Sequence, residues 1–115
     1  MTTIEGSENM SVKIEHGEDI VTAYLSGEID HHSAKAMREK IDMAAGQAKP
    51  KSLILDFSAV GFMDSSGIGL VMGRYKFMRD IGGTVTVQNP SAPIKKVMRL
   101  AGLDRIAKFK ELQIK

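Results

Sequence analysis

The chain has 115 residues, 43% apolar and 26% charged, which suits one globular domain able to bury roughly two-thirds of its unfolded surface. A formal net charge of +2 argues against nucleic acid, and the absence of cysteine excludes disulfides and thiolate zinc sites. No apolar run approaches the length of a bilayer span or a signal segment, which points to a cytoplasmic protein with no membrane contact.

Residues 1–9 are polar and aperiodic and read as a disordered extension, with the domain expected over 10–115. From Ser11 the pattern alternates: Val12, Ile14 and His16 against Lys13 and Glu15, as on a half-buried strand. Gly17-Glu18-Asp19 supplies a turn into a second strand over 20–26, so the domain opens on a hairpin. Ser33 is a candidate N-cap for a helix to about Gln47, its buried face formed by Met37, Ile41, Ala44 and Ala48, with Gly46 and Pro50 at its end. The run SLILDF over 52–57 suits a strand buried on both faces.

A second helix is expected over 66–81, with Ile68, Met72, Tyr75 and Met78 on one stripe and Gly82-Gly83 as its stop. Residues 84–87 are rich in β-branched side chains and form the next strand. Ser91 caps a third helix that tolerates Pro93 in its first turn, buries Ile94, Val97, Met98 and Ala101, and ends at Gly102. The tail, 105–115, holds a short edge strand and a last helical turn. Lys95, Lys96, Arg99, Arg105, Lys108 and Lys110 gather in this last quarter with Phe109 as the one aromatic among them, the make-up of a solvated basic face and not of a base-stacking platform. The order is that of an α/β domain: a mixed, mostly parallel sheet with crossover helices and an N-terminal β-hairpin.

Between the buried strand and the second helix lies FMDSSGIG, residues 62–69, which sets an acid and two adjacent hydroxyls at a glycine-broken helix start. A nucleophilic serine elbow needs Gly-x-Ser-x-Gly, but Met63 stands two before Ser65 and Asp64 two before Ser66. The available bases are His16 on a strand and His31 and His32 in the loop after the second strand, and no orienting group or oxyanion hole is evident. Gly67-x-Gly69-x-x-x-Gly73 follows a strand, yet the dinucleotide fingerprint needs its third glycine where Met72 stands, and there is no Gly-Lys-Ser/Thr loop. Gly69 and Gly73, four apart, read instead as a flattened helix face close to a neighbour. Asp30, His31, His32 and Asp64 lack a diagnostic metal-ligand spacing, so neither metal nor cofactor is expected.

Modification of a serine is the reading left. Capping accounts for one of Asp64, Ser65 and Ser66 and does not require all three. Loops after the carboxyl ends of parallel strands gather on one edge, which Asp30 and His31 share if the second and third strands run parallel. A serine exposed there is open to a kinase. Met63, Met72 and Met78 divide between core filling and an adaptable interface, and Gly67 and Gly69 are expected to keep the cap region low.

GEIDHHSA (27–34), DFSAVGFMDSSGIGLVMGRYK (56–76) and AGLDRI (101–106) resemble, in order and spacing, the STAS-domain anti-sigma factor antagonists of bacterial partner-switching modules. The likeness runs from about residue 11 to 110. DHH after the second strand and GRYK in the second helix look more like the sporulation-type antagonist than the stress-response type. The resemblance implies a binding protein and not an enzyme. In that family the unmodified antagonist binds an anti-sigma factor that is also a GHKL-type serine kinase, and so releases a sigma factor. The kinase phosphorylates the serine after the motif's aspartate, here Ser65; the modified form lets go, and a PP2C-type phosphatase restores it. Asp30 matches the acidic partner-contacting position, and Asp64 and Ser66 flank the acceptor. The expected partner surface is Asp30, His31, Asp64, Ser65, Ser66, Gly67 and Gly69, on a monomeric protein. Ser66 is the alternative acceptor, and a STAS scaffold or accessory subunit of another signalling or transport complex is the alternative function.

Overall fold

In the computed structural model, which describes residues 2–3 and 11–112, the chain opens on a strand of two residues, β1 (Thr2–Thr3). β1 pairs antiparallel with β2 (Val12–Gly17), Thr2 opposite Glu15, so these two residues of the expected unstructured extension are strand. The rest of that expectation lies outside the described residues. Val12 and Ile14 are buried as their alternation demands, while His16 is exposed. Asp19, in the left-handed region at φ 60°, turns the chain into β3 (Ile20–Ile29), antiparallel to β2.

Three strand–helix units follow: α1 (His31–Ala48) into β4 (Ser52–Met63), α2 (Ser65–Asp80) into β5 (Thr84–Gln88), and α3 (Ala92–Leu100) with a 3₁₀ turn (Leu103–Arg105) into β6 (Lys108–Lys110). The strands lie in sequence order across one sheet, parallel from β3 to β6. This is the mixed, mostly parallel α/β sheet with an opening hairpin that the pattern predicts. β6 is the expected edge strand; of the last helical turn expected within 105–115, only Arg105, at the end of the 3₁₀ turn, is helical among 105–112, and 113–115 lie outside the described residues. One core joins Leu53, Leu55, Val85 and Val87 of the sheet to Met37 and Ile41 of α1, Leu70, Val71 and Met78 of α2, and Ile94 and Met98 of α3. Among the described residues no helix is long and apolar enough to cross a membrane.

The helices turn slightly different faces inward than their apolar letters suggest. In α1, Ala45 is buried and Ala48 exposed; in α3, Val97 and Ala101 are exposed. In α2 the inward stripe is Gly67, Leu70, Val71, Arg74 and Met78, with Met72 exposed and Ile68 and Tyr75 half-buried. Gly69 and Gly73 have open space where a Cβ would stand, so the close helix packing expected of them is absent; Gly67 is the tight position, its missing Cβ replaced by the Met63 side chain.

β4 is twice the expected length. The register with β3 passes from Tyr24–Asp56 to Ser26–Ala59 and from Gly27–Val60 to Glu28–Phe62, so β4 carries one extra residue at each of two bulges. Past Phe57 the side chains therefore stop alternating, with Val60 and Met63 buried and Ser58, Ala59, Gly61 and Phe62 exposed. The first bulge is pinned by Asp56, only 3% exposed. Its Oδ1 accepts from the Ser58 amide (2.9 Å) and hydroxyl (2.6 Å), and its Oδ2 from Gln88 Nε2 (2.8 Å) and Asn89 Nδ2 (3.3 Å). Burial pushes this carboxyl up, but the bonds from Ser58, Gln88 and Asn89 together hold it below the ordinary Asp value. Replacing Asp56 by Ala strands the buried Gln88 amide without its acceptor. The expected cost is about 2–3 kcal/mol, read by urea unfolding; a loss under about 0.5 kcal/mol would show that the pin is dispensable.

Candidate functional site

β3 and β4 end in register, Ile29 opposite Met63, and the Asp64 amide donates to the Ile29 carbonyl at 3.1 Å. Each strand then runs into one aspartate, and each aspartate starts a helix. Asp30 is the N-cap of α1: its Oδ1 accepts from the His32 amide (3.0 Å) and the Ser33 amide (2.8 Å). The Ser33 hydroxyl accepts from the Asp30 amide at 3.0 Å, completing a capping box, and donates to the Glu28 carbonyl at 2.8 Å. The cap therefore lies three residues before the expected one. Ser33 is the third residue of the first turn, and His31 is the first helical residue instead of a loop residue. The Ser33 amide, foremost among its influences, holds the Asp30 carboxyl below the ordinary Asp value.

Asp64 caps α2 in the same way, its Oδ1 accepting from the Ser66 amide at 2.8 Å. Capping thus consumes the aspartate and leaves both serines in the first turn, Ser65 exposed and Ser66 half-buried. Two helix N-termini, each partly positive at its amides, sit side by side with a carboxylate over each. Asp30, His31, Asp64, Ser65 and Ser66 share this edge, with exposed Gly69 one turn along α2. Gly67 is buried beneath it and lets α2 close on Met63. Phe62, 52% exposed just before the cap, adds an apolar contact to the rim. It is invisible in the sequence because the second bulge turns it outward. Among the described residues no hydrogen bond joins a serine hydroxyl here to a histidine, and no three His, Asp or Glu side chains gather as a metal site would need.

Beside the caps, α1 and α2 frame an open cleft of about 330 Å³. His31, Lys35 and Arg38 form one wall, and Ser66, Gly69 and Arg74 the other. The sequence hides this cleft, since Arg74 looks like one more surface charge until its position on the inward stripe of α2 is known.

Residues 11–112 match the STAS-domain family model. The chain is 33% identical over 98 residues to the anti-sigma F factor antagonist of Paenibacillus polymyxa, covering 85% of this chain and 84% of that one. It is 38% identical over 85 residues to the antagonist of the same name from Lysinibacillus sphaericus, covering 74% and 73%. Among solved structures, the anti-sigma factor antagonist SpoIIAA in its unphosphorylated form superposes with a TM-score of 0.77 at 33% identity, over 89% of this chain and 88% of that one. The phosphorylated form, of a Bacillus protein, gives 0.72 at the same identity, over 89% and 91%.

Because the folded Asp30 carboxyl is more acidic than an unfolded one, its contribution is complete above about pH 4 and is lost as pH falls through the lowered value. Asp30→Asn keeps a capping oxygen without that titration. Thermal melts should therefore agree near pH 7 and diverge below about pH 4, the variant losing less than the parent; parallel acid limbs would refute the assignment.

Proposed function

The chain belongs to the STAS-domain family, among its anti-sigma factor antagonists, and we propose that it works as a phosphorylation-controlled binding protein and not as an enzyme. In its unmodified form it docks through Asp30, His31, Asp64, Ser65, Ser66 and Gly69 onto an anti-sigma factor that is also a GHKL-type serine kinase. Docking releases the sigma factor. The kinase transfers the γ-phosphoryl of ATP to the Ser65 oxygen, which gives up its proton as ADP leaves. The phosphorylated chain dissociates, and a PP2C-type phosphatase hydrolyses the ester. The cycle is proposed for the cytoplasm, in sporulation signalling.

The observation that carries this reading is the place of Ser65: exposed, first residue of α2, between the two capping aspartates' helix starts. A phosphate there adds roughly −1.5 to −2 charges at pH 7. The helix tolerates it, since an anion at an N-terminus is favoured by about 0.3–1 kcal/mol. The docked surface does not. Asp64 is adjacent in sequence and Asp30 lies at the end of the paired strand, so the phosphate completes an anionic cluster. Two unit charges about 4 Å apart interact by roughly 4 kcal/mol at an effective dielectric near 20. A hundredfold loss of affinity requires only about 2.8 kcal/mol. SpoIIAA supports the same separation of fold from binding, since this chain superposes well on both its unphosphorylated and its phosphorylated forms. Gly67 contributes by packing alone, and Phe62 by apolar contact beside the acceptor.

Ser65→Asp should keep the parent's circular dichroism and melting profile while its affinity for the kinase falls at least tenfold. Ser65→Ala should bind and remain unmodified. Phosphopeptide mapping after incubation with kinase and ATP should place the label on residue 65; label on Ser66 in the parent protein would overturn the acceptor assignment, and a melted Ser65→Asp variant would overturn the mechanism.

A further inference from the structure

Arg74 is 6% exposed, on the inward stripe of a surface helix. Its Nε lies 2.9 Å from Asp42 Oδ1 of α1, close enough for an ion pair. The angle does not make a hydrogen bond, however, and Nε and Nη1 have no acceptor among the described residues. Proximity here gives charge compensation without satisfying the donors, and a buried guanidinium donor left unpaired is costly. Burial lowers the pKa of the guanidinium, Asp42 opposes that, and Arg38 adds repulsion from the same side as the cleft. An arginine nevertheless stays charged.

The cleft that Arg74 helps to wall has a single sign. Lys35, Arg38 and Arg74 are permanent cations, His31 adds a ring, and no carboxylate is among its lining residues. Beside Arg74 on α2, across from Lys35 and Arg38, stand Ser66 and the bare backbone of Gly69, where a Cβ would meet nothing. Nε and Nη1 are shielded from the cleft, which leaves Nη2 as the guanidinium nitrogen able to meet a ligand there, and the cations gathered round it match the charge of an oxyanion.

We propose that the cleft between α1 and α2 binds a single oxyanion, a phosphate or a carboxylate. Arg74 supplies charge-assisted bonds, Lys35 and Arg38 supply the field, and Ser66 contributes a hydroxyl. The anion comes either free from solution or as an acidic side chain of the docked kinase, because His31, Ser66 and Gly69 belong both to the cleft and to the proposed docking edge.

Inorganic phosphate titrated into the full-length, ¹⁵N-labelled chain tests this without any partner, so its outcome is independent of the kinase reading. At matched ionic strength, phosphate but not chloride should shift the Ser66 and Gly69 amides saturably. Arg38→Gln, on the exposed side of α1, should weaken the effect about tenfold by removing one cation from the field. Gly69→Val, whose side chain enters open space, should remove it while leaving the fold intact by circular dichroism. Equal shifts with chloride, or shifts indifferent to both variants, would mean that water alone fills the cleft and would end the proposal. Kinase affinity measured with and without saturating phosphate then separates the sources: competition identifies a partner carboxylate, and an unchanged affinity a free anion.

Discussion

The hydrogen bond from the Asp64 amide to the Ile29 carbonyl is where the architecture becomes a site. It closes the parallel pairing of β3 with β4 at the last possible residue, and it fixes two chain reversals next to one another. Parallel strands deliver their helix starts to one edge by necessity. Delivering both to the same height is a separate requirement, met by letting β4 run long. Its two bulges absorb the extra residues, and the Asp56 cluster keeps the first of them from relaxing. A local rearrangement at residue 58 would therefore shift Asp64 relative to Asp30, even though neither is near it in sequence.

The two caps answer a problem that any modifiable helix start faces. Amides at an N-terminus need acceptors, and a free serine there would supply them. A serine used as a cap would have its oxygen engaged with the helix amides, so esterifying it would change the cap as well as the surface. Here the aspartates one residue upstream take that duty, through Asp30 with His32 and Ser33 and through Asp64 with Ser66. Ser65 is left structurally idle and exposed. Stability and recognition are thereby assigned to different atoms, which is what a reversible switch needs if its off-state is to remain folded.

Much of this was legible in the letters. The alternation of Val12 and Ile14, the apolar run 52–57 and the glycine stops at 82 and 102 place the hairpin, the central strand and the helix ends correctly. Ser65 is the exposed first residue of α2, just after its capping aspartate. What escaped did so for identifiable reasons. The bulges in β4 destroy the period-two signal, so the letters past residue 57 show neither the rest of the strand nor the outward turn of Phe62. Ser33 is as good a cap as Asp30 by type, and only the reciprocal bond geometry tells which residue is the cap and which is the third residue of the turn. The inward face of α2 includes Arg74 and Gly67 in place of Met72, and apolarity alone cannot assign a charged residue to a core-facing stripe.

The charges around Ser65 are also sorted by depth and by element. Carboxylates occupy the caps, at the strand ends; cations occupy the cleft between the helices. A protein with a net charge of +2 has no reason in its overall field to be recognised by anything in particular. A partner that meets both regions must offer a cation to the caps and, on the proposed reading of the cleft, an anion one helical turn away. That pairing of opposite signs fixes orientation as well as identity, because rotating the partner sets like charges against each other. On the proposed switch, phosphorylation at residue 65 would alter only the acidic half, the basic half would keep its complementarity, and removal of the phosphate would restore the original surface.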